Sequence, residues 1–526
     1  MDMEAYMEFL VNQRYLHLPV RTGAAKVRLS LVVAGRVVRA FEVELDPVAP
    51  DFWAFLDLSP FTGLQAELRL EGGAEHLLCG VAQGGQLKGA EELYAEPLRP
   101  QFHFSSRRGW NNDPNGLVYF QGEYHLFYQH NPYGWNWGNM HWGHAVSPDL
   151  VHWRELPIAL YPHAFGDWAF SGSAVVDWQN SAGFQQGDEP ALVVAYTSTG
   201  RGECIAYSLD RGRTFAEYQG NPVVAHQGRD PKLLWYAPGR HWVMAVYDEV
   251  GDQRYIAFYT SPDLKEWTYQ SRIEGYYECP ELFALPVDGD PQRLKWVVYA
   301  ADGSYAIGQF DGRQFSVESG KHTFNRGNCF YASQTFSDIP GADGRRIQMA
   351  WGRVDMPGMP FNQMMNFPVE LSLRTTEEGV RMCAEPVREL AGLRGETRLW
   401  RDLDLRPGEN PLAGREGELW EIEVEFDPAG ATEVGLVIRG VEVVYRQREG
   451  LKCGAQQAPL APVAGCICLH LLVDRTSIEI FANGGRVYMP MGLHPEAGRR
   501  DLGLFSRGGT AQVRVLRCCA LQSTWA

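Results

Sequence analysis

Three short clusters in the sequence each place a carboxylate among turn-forming or aromatic residues. The clusters are W-N-N-D-P-N-G at residues 110–116 with Asp113, G-R-D-P at residues 228–231 with Asp230, and Y-E-C-P-E-L-F at residues 277–283 with Glu278. Taken alone, each has an ordinary alternative: an Asx-turn, a surface ion pair and a hydrogen-bonded core residue, respectively. The aromatic and thiol neighbours of Glu278 would remove water from its carboxyl group and favour the protonated form that a proton donor needs.

The three clusters indicate one chemistry when they are taken together. Each lies next to a predicted inner strand, so we expect the carboxylates to converge with Arg229 and several tryptophans. Cleavage of a glycosidic bond needs such a set: a carboxylate nucleophile, a protonated carboxyl group as acid, and aromatic and polar groups that hold the sugar ring. A non-catalytic sugar-binding protein is the alternative from another class, and it would be favoured if one of the three acidic residues were missing.

Many short strands must position these clusters. Alternating or apolar runs, separated by Gly, Pro, Asn and Asp turns, predict an all-β protein with one short helix at residues 2–10. A weak repeat, S-P-D-L-x-x-W or a looser form of it, begins at Ser147, Ser208 and Ser261, and a fourth copy lies at residues 310–315. The first three copies begin 61 and 53 residues apart, a spacing that fits one four-stranded propeller blade per copy.

The 526 residues are expected to form three domains. Residues 1–100 predict an N-terminal β-rich accessory domain, residues 101–370 a five-bladed β-propeller catalytic domain, and residues 386–526 a C-terminal β-sandwich. A propeller directs its innermost strands at a central funnel, where the three clusters would meet. The crossing between propeller and sandwich is expected within residues 377–389.

Composition excludes several kinds of partner. Lys and Arg number 48 against 64 Asp and Glu, and the resulting charge of −16 argues against nucleic acid and anionic membranes. No apolar run has the length of a membrane-spanning helix. No Gly-rich phosphate loop opens a helix, and the spacing of His141, His144 and His152 does not match a zinc motif, so we expect neither cofactor nor metal.

The ten cysteines are scattered without a C-x-x-C pair, which indicates free thiols in a reducing compartment. The acidic N-terminus lacks the pattern of a secretory signal, so a cytoplasmic location is expected.

The chain resembles bacterial β-fructosidases of glycoside hydrolase family 32, which include invertases, levanases and inulinases. The resemblance rests on W-N-N-D-P-N-G at 110–116, F-S-G-S at 170–173, R-D-P at 229–231, E-C-P at 278–280, A-W-G-R at 350–353 and D-R-T-S-I-E-I-F at 474–481. It covers residues 100–526, and residues 1–100 are similar to an accessory β-domain of some bacterial members. The resemblance implies a five-bladed propeller, a β-sandwich and a retaining mechanism.

The resemblance also implies roles for individual residues. Asp113 would be the nucleophile, Glu278 the acid and base, and Asp230 the stabiliser of the transition state, with Arg229 beside it. The fructose subsite would be lined by Asn112, Gln129, Trp137, Phe170, Ser171, Tyr331 and Trp351. Cys279 is expected to adjust Glu278. Asn111 departs from the family pattern, since many members carry Met there.

The sequence leaves several alternatives open. A fructosyltransferase, or an enzyme that forms or hydrolyses difructose anhydrides, would use the same site as a hydrolase. The preference for β-2,1 or β-2,6 linkages is not readable. Because several bulky aromatics are assigned to one subsite, we expect exo attack on fructans and fructo-oligosaccharides. Either terminal domain could bind polymer or form a homo-oligomer.

Overall fold

The computed structural model describes residues 5–525, which form strands joined by turns. The all-β prediction is confirmed, because helical structure among these residues is limited to five short 3₁₀ segments, at Ser59–Phe61, Glu75–Gly80, Ala90–Glu92, Ala237–Gly239 and Arg388–Leu393. None of the helical segments in this range is long and apolar enough to cross a bilayer.

The helix predicted at residues 2–10 is wrong over its described part. Ala5–Leu10 is a strand, β1, whose side chains alternate between partly buried and exposed. Ala5, Met7 and Phe9 pack on an apolar core, and this spacing of two is the period of a strand. Residues 2–4 of that prediction lie outside the described residues.

The first block of the chain contains two sheets that share a core. Its strands are β1 (Ala5–Leu10), β2 (Tyr15–Val20), β3 (Val27–Val33), β4 (Arg36–Val43), β5 (Phe52–Asp57), β6 (Gln65–Glu71) and β7 (Ala82–Gly84). The sheet orders are β1-β6-β3-β4 and β5-β2-β7. Leu18 from one sheet and Leu68 from the other are fully buried in one cluster, which Tyr133 and Trp135 from the next block also join.

Five successive groups of antiparallel strands follow. The strands are β8 (Gly109–Phe120), β9 (Glu123–Asn131), β10 (His141–Ser147), β11 (Arg154–Glu155), β12 (Ala169–Asp177), β13 (Ala191–Ser198), β14 (Gly202–Ser208), β15 (Ala216–Glu217), β16 (Arg229–Tyr236), β17 (His241–Val250), β18 (Gln253–Ser261), β19 (Thr268–Glu274), β20 (Glu281–Val287), β21 (Asp290–Tyr299), β22 (Ser304–Phe310), β23 (Phe315–Thr323), β24 (Tyr331–Thr335), β25 (Arg346–Gly352), β26 (Phe361–Asn362), β27 (Met364–Met365), β28 (Val369–Thr376) and β29 (Gly379–Pro386). Strands β8–β11, β12–β15, β16–β19 and β20–β23 each pair in chain order, and β24, β25, β28 and β29 form the fifth group. The count of five blades and the exact domain boundaries stay predictions.

The sequence repeat forms the turn between the third and fourth strands of a group. In the first copy, Asp149 accepts hydrogen bonds from two backbone N–H groups, and the Trp153 indole donates to the Leu150 carbonyl. In another copy, Asp263 and Trp267 make the corresponding bonds. The repeat is therefore a turn motif that an aromatic side chain closes.

The C-terminal block is a pair of packed sheets. Its strands are β30 (Arg394–Leu405), β31 (Trp420–Asp427), β32 (Glu433–Ile438), β33 (Val441–Arg446), β34 (Gly450–Cys453), β35 (Gln456–Ala458), β36 (Ile467–Asp474), β37 (Ser477–Ala482), β38 (Val487–Gly492), β39 (Leu502–Arg507) and β40 (Ala511–Leu521). The sheet orders are β30-β40-β31-β36-β37-β38 and β35-β34-β33-β32-β39, and both sheets contribute to one buried cluster.

A buried cluster of charges joins the middle and C-terminal blocks. The two ring nitrogens of His103 lie 2.8 Å from Asp474 Oδ2 and 2.9 Å from Glu479 Oε1, and all three side chains are fully buried. Burial alone would lower the pKa of His103, but the two carboxylates outweigh it and raise the pKa to about 9. The backbone N–H groups of Gln101 and Phe367 also donate to these carboxylates, so the blocks share one hydrogen-bonded network.

We expect His103→Ala to destabilise the protein by about 3–5 kcal/mol, because it leaves two buried carboxylates without their cation. The pKa of His103 in the folded protein, about 9, is above its ordinary value of 6.5. Its contribution to stability is therefore complete below about pH 6.5 and is lost as the pH rises through about 9. Thermal unfolding followed by circular dichroism across this pH range would measure both effects.

His152→Ala is the matched control, since His152 pairs with Asp149 at 2.7 Å but is half exposed. It should change stability little, because exposed ion pairs contribute little. Equal losses in the two variants, or an unchanged pH dependence in His103→Ala, would contradict a stabilising role for the buried cluster.

Candidate active site

Bulges place the candidate side chains at the starts of the inner strands. The antiparallel register shifts between Asn111 and Pro114 in β8, Ala169 and Gly172 in β12, Arg229 and Lys232 in β16, and Tyr331 and Gln334 in β24. A bulge leaves the residues inside it out of the regular ladder and redirects their side chains. Asp113, Ser171 and Asp230 lie inside the first three bulges, so the bulges set the directions of these side chains.

Asp113 accepts hydrogen bonds on both carboxylate oxygens. Asn112 Nδ2 donates to Oδ1 at 2.9 Å, and the Ser171 hydroxyl donates to Oδ2 at 2.7 Å. The Trp110 indole in turn donates to Asn112 Oδ1 at 2.7 Å. Burial raises the pKa of Asp113, and the two hydrogen bonds offset part of that rise. Since Asp113 is partly exposed, its carboxyl group is both oriented and reachable.

Asp230 is the most deeply buried of the three carboxylates, with 5% of its surface exposed. Its backbone has a left-handed φ of +68°, and its N–H donates to the Thr197 hydroxyl at 2.8 Å. Burial, together with the charges of Asp113 and Glu278, raises the pKa of Asp230 to about 8. Burial and the neighbouring charges therefore favour the protonated form of Asp230.

Glu278 lies in the turn before β20 and is clasped by two donors. Arg229 Nη2 donates to Oε1 at 2.7 Å, and the Tyr331 hydroxyl donates to Oε2 at 2.6 Å. The sequence predicted aromatic and thiol groups around the Glu278 carboxylate. In the structure its oxygens instead accept hydrogen bonds from a guanidinium and a phenol hydroxyl. Glu278 and Cys279 have φ values of +55° and +40°, a conformation that costs energy and that clusters at functional sites.

Cys279 bridges the other two carboxylates. Its sulfur lies 3.6 Å from Asp113 Oδ2 and 3.6 Å from Asp230 Oδ2, and its backbone N–H donates to Asp230 Oδ2 at 3.1 Å. Burial and these charges raise the pKa of Cys279 well above its ordinary value, so the group is a thiol that donates hydrogen bonds. The sequence expectation paired Cys279 with Glu278, whereas its sulfur contacts Asp113 and Asp230.

Aromatic rings flank the carboxylates. Trp137 meets Trp168 edge to face at 5.0 Å between ring centres and lies 6.2 Å from Phe170. The Trp351 ring lies 6.1 Å from that of Tyr331. Trp137 is 45% exposed although it is large and apolar, so its surface is available to a ligand.

Gln129 is buried in β9, where its amide donates to the Ala169 carbonyl at 3.0 Å. This hydrogen bond holds the start of β12, the strand that carries the predicted site residues Phe170 and Ser171.

Sequence reasoning missed four residues that contact the predicted set. Tyr277 accepts a hydrogen bond from Arg229 at 3.1 Å, and Gln363 accepts one from the Trp351 indole at 3.1 Å. The other two are Thr197 and Trp168. Tyr277 begins the Y-E-C-P-E-L-F cluster and Trp168 lies two residues before the F-S-G-S string, a signal that could have assigned them to the site, whereas Thr197 and Gln363 lie outside every motif.

Possible metal ligands lie elsewhere. Among residues 5–525, one group places three ligand atoms within 4.8 Å of one another: Glu421, Glu423 and His470, in the C-terminal block. Arg394 and Arg517 approach Glu421 to 2.6 and 3.1 Å, so this group is an ion-pair network.

The three histidines considered as zinc ligands have protein partners. His144 shares a hydrogen bond with His125 at 3.0 Å, His152 pairs with Asp149, and His141 bonds to a backbone carbonyl.

Comparisons with known proteins agree with this geometry. The family profiles "Glycosyl hydrolases family 32 N-terminal domain" and "Glycosyl hydrolases family 32 C terminal" match residues 103–386 and 389–519. A levanase from Bacillus subtilis (strain 168) is 40% identical over 489 residues, covering 82% of this chain and 72% of that protein. A levanase from Bacillus sp. (strain L7) is 36% identical, and the chain spans 53% of its length.

Among solved structures, exo-inulinase from Aspergillus awamori matches with a TM-score of 0.74 and 27% identity, over 82% of this chain and all of that one. This likeness confirms the predicted architecture of a β-propeller followed by a β-sandwich. Since the two profiles together span most of the chain and the relative from B. subtilis is 40% identical, the chain belongs to glycosyl hydrolase family 32.

Proposed function

We propose that the protein hydrolyses β-fructosides and releases fructose from fructans and fructo-oligosaccharides through a covalent fructosyl-enzyme. The arrangement of three carboxylates carries the proposal: Asp113 is oriented by Asn112 and Ser171, Glu278 is clasped by two donors, and Asp230 lies next to both. The names of the relatives, levanase and exo-inulinase, support the same substrate class.

The reaction has two steps. Asp113 attacks the anomeric carbon of the fructosyl unit and forms an ester, while the bond to the leaving oxygen breaks and Glu278 gives that oxygen a proton. Water then attacks the same carbon, Glu278 takes a proton from the water, and the ester bond to Asp113 breaks. Two displacements at one carbon retain its configuration.

The neighbours of each carboxylate suit these roles. Arg229 and Tyr331 fix the direction of the Glu278 carboxyl group, which must reach the leaving oxygen. Asp230, whose pKa is raised to about 8, provides a protonated carboxyl that can donate a hydrogen bond to a sugar hydroxyl. Because the charge of Asp113 raises the pKa of Asp230, the titrations of these two carboxyl groups are coupled.

Bonds between the inner strands favour attack at a chain end. Two residues beyond Asp230 along β16, Lys232 lies 2.8 Å from Glu281 and donates to the Thr335 carbonyl at 3.0 Å. The Gln334 amide donates to the Gly172 carbonyl at 2.8 Å. These bonds tie together the inner strands that carry the site, which supports a rigid pocket that receives one chain end.

The product distribution tests this function. We expect fructose as the first product from levan, inulin or kestose, with the remaining chain one unit shorter, measured by chromatography at early times. Asp113→Asn should lose several powers of ten in kcat without a lower melting temperature, because the change removes the nucleophile and keeps the shape. Internal fragments would overturn exo attack. Difructose units or elongated chains would show that a sugar hydroxyl replaces water.

The loss of activity on replacing Glu278, the proposed acid, should depend on the leaving group of the substrate. Glu278→Gln should lower kcat by at least about 100-fold on sucrose or kestose but far less on a fructoside with an activated aryl leaving group, which departs without a proton. Tyr331→Phe, which removes one donor to the same carboxyl group, should cause a smaller loss; equal losses on both substrates in Glu278→Gln would contradict acid catalysis.

Asp230 should lower the free energy of unfolding of the protein. Its pKa is raised from the ordinary 3.8 to about 8 on folding, so the folded protein holds a proton that the unfolded chain releases, and stability falls as the pH rises from about 4 to 8. We expect Asp230→Asn to lose activity but to melt at a higher temperature than the unsubstituted protein, with the largest gain near pH 8. Melting temperatures measured across this pH range decide it, and a variant that melts lower at pH 8 would contradict the argument.

A further inference from the structure

One wall of the candidate site is carried by a loop that the first block of the chain holds. The loop runs from residue 132 to residue 140, between β9 and β10, and Trp137 lies within it. Tyr133 is fully buried and stacks on Phe41 of β4 with 3.7 Å between ring centres. Trp135 packs against the same core. The loop is therefore anchored in the first block on the N-terminal side of Trp137.

Asn139 anchors the other side of the loop. Its Nδ2 donates to the Glu42 carbonyl at 2.8 Å, and its Oδ1 accepts from the Glu42 N–H at 2.9 Å. Strand β4 is the edge of its sheet, so the Asn139 amide occupies backbone groups that a further strand would otherwise pair. Asn139 also donates to Asn131 Oδ1 at 3.1 Å, and Asn131 Nδ2 donates to the Asn136 carbonyl at 2.8 Å, which closes the loop.

Trp137 is an exposed residue between the two anchored parts of the loop. Trp135 and Asn139, two residues away on either side, are held, whereas the Trp137 ring is 45% exposed and faces Trp168 and Phe170. Asn139 has a left-handed φ of +41°, a conformation that Asn and Asp tolerate better than most residues. The direction of the Trp137 ring thus depends on bonds made to another block.

We propose that the first block is a scaffold for the substrate pocket and that Asn139 is a positioning residue that sets Trp137 against the fructosyl unit. The inference rests on the proposed function, because it takes Trp137 as a wall of the fructose site. Loss of the Asn139–Glu42 pair releases the loop without touching a carboxylate. Such a change weakens the binding of substrate and transition state alike, which raises KM and leaves kcat nearly constant.

Asn139→Asp tests the proposal, because it keeps the shape and the tolerated φ but replaces the donor to the Glu42 carbonyl with an acceptor. We expect KM for kestose to rise about tenfold, with kcat within about twofold of the unsubstituted enzyme. Asn139→Gly, which also accepts the left-handed φ, is the second variant if the first folds poorly. Trp137→Ala should raise KM at least as much.

The decisive measurement is the double variant. If Asn139 acts through Trp137, Asn139→Asp should add no further increase in KM to Trp137→Ala. Gln83→Glu is the matched control: the Gln83 amide accepts from Asn12 N–H and donates to the Leu10 carbonyl in the same block, away from the loop, and the change should lower the melting temperature without altering KM.

The proposal would be overturned by an unchanged KM in Asn139→Asp, by an increase that is additive with Trp137→Ala, or by an equal KM change in Gln83→Glu. An unchanged KM in Trp137→Ala would also overturn it. Release of fructose by the unsubstituted enzyme is a separate readout, so failure of the scaffold and failure of the proposed function are distinguishable.

Discussion

The structure is organised around the mutual repulsion of three carboxylates held at one point. The charges of Asp113 and Glu278 disfavour ionisation of Asp230, the charge of Glu278 disfavours ionisation of Asp113, and burial adds to this cost at both aspartates. Arg229 is the cation that reaches both Glu278 and Asp230, at 2.7 and 3.9 Å. The rest of the unfavourable electrostatic free energy is offset by the packing of the surrounding strands. Bulges and residues with left-handed φ hold the three carboxylates in positions that regular strand pairing would not give them.

The three blocks of the chain contribute to that framework in different ways. The inner strands are tied together by the buried Lys232–Glu281 pair. The C-terminal block is joined to the strands through the charged cluster around His103, whose raised pKa means that the connection includes a buried cation. The first block meets the middle block through Tyr133 and Asn139. Contacts from all three blocks therefore stabilise a site in which three carboxylates lie close together.

Much of this was predictable from short-range patterns, and the exceptions have physical causes. The alternation of apolar residues and turns predicted the all-β fold. The helix predicted at residues 2–10 was wrong over its described part, because a short amphipathic run fits either period until it packs on a core, and here Met7 and Phe9 pack on the core at a spacing of two. The repeat predicted the turns around Asp149 and Asp263. The partners of Glu278 could not be predicted, because Arg229 and Tyr331 lie about fifty residues away on either side in the chain.

The sequence by itself determined which chemical groups are present and which of them lie in or next to a strand: W-N-N-D-P-N-G, R-D-P and E-C-P carry the carboxylates and the turn residues in one order. Only the tertiary structure decided which group touches which. Cys279 adjoins Glu278 in the chain, yet its sulfur contacts Asp113 and Asp230, and Thr197 supports Asp230 from another strand. The reason is that pKa values and side-chain directions depend on distances of a few ångströms and on burial, and both arise only when strands remote in sequence pack together.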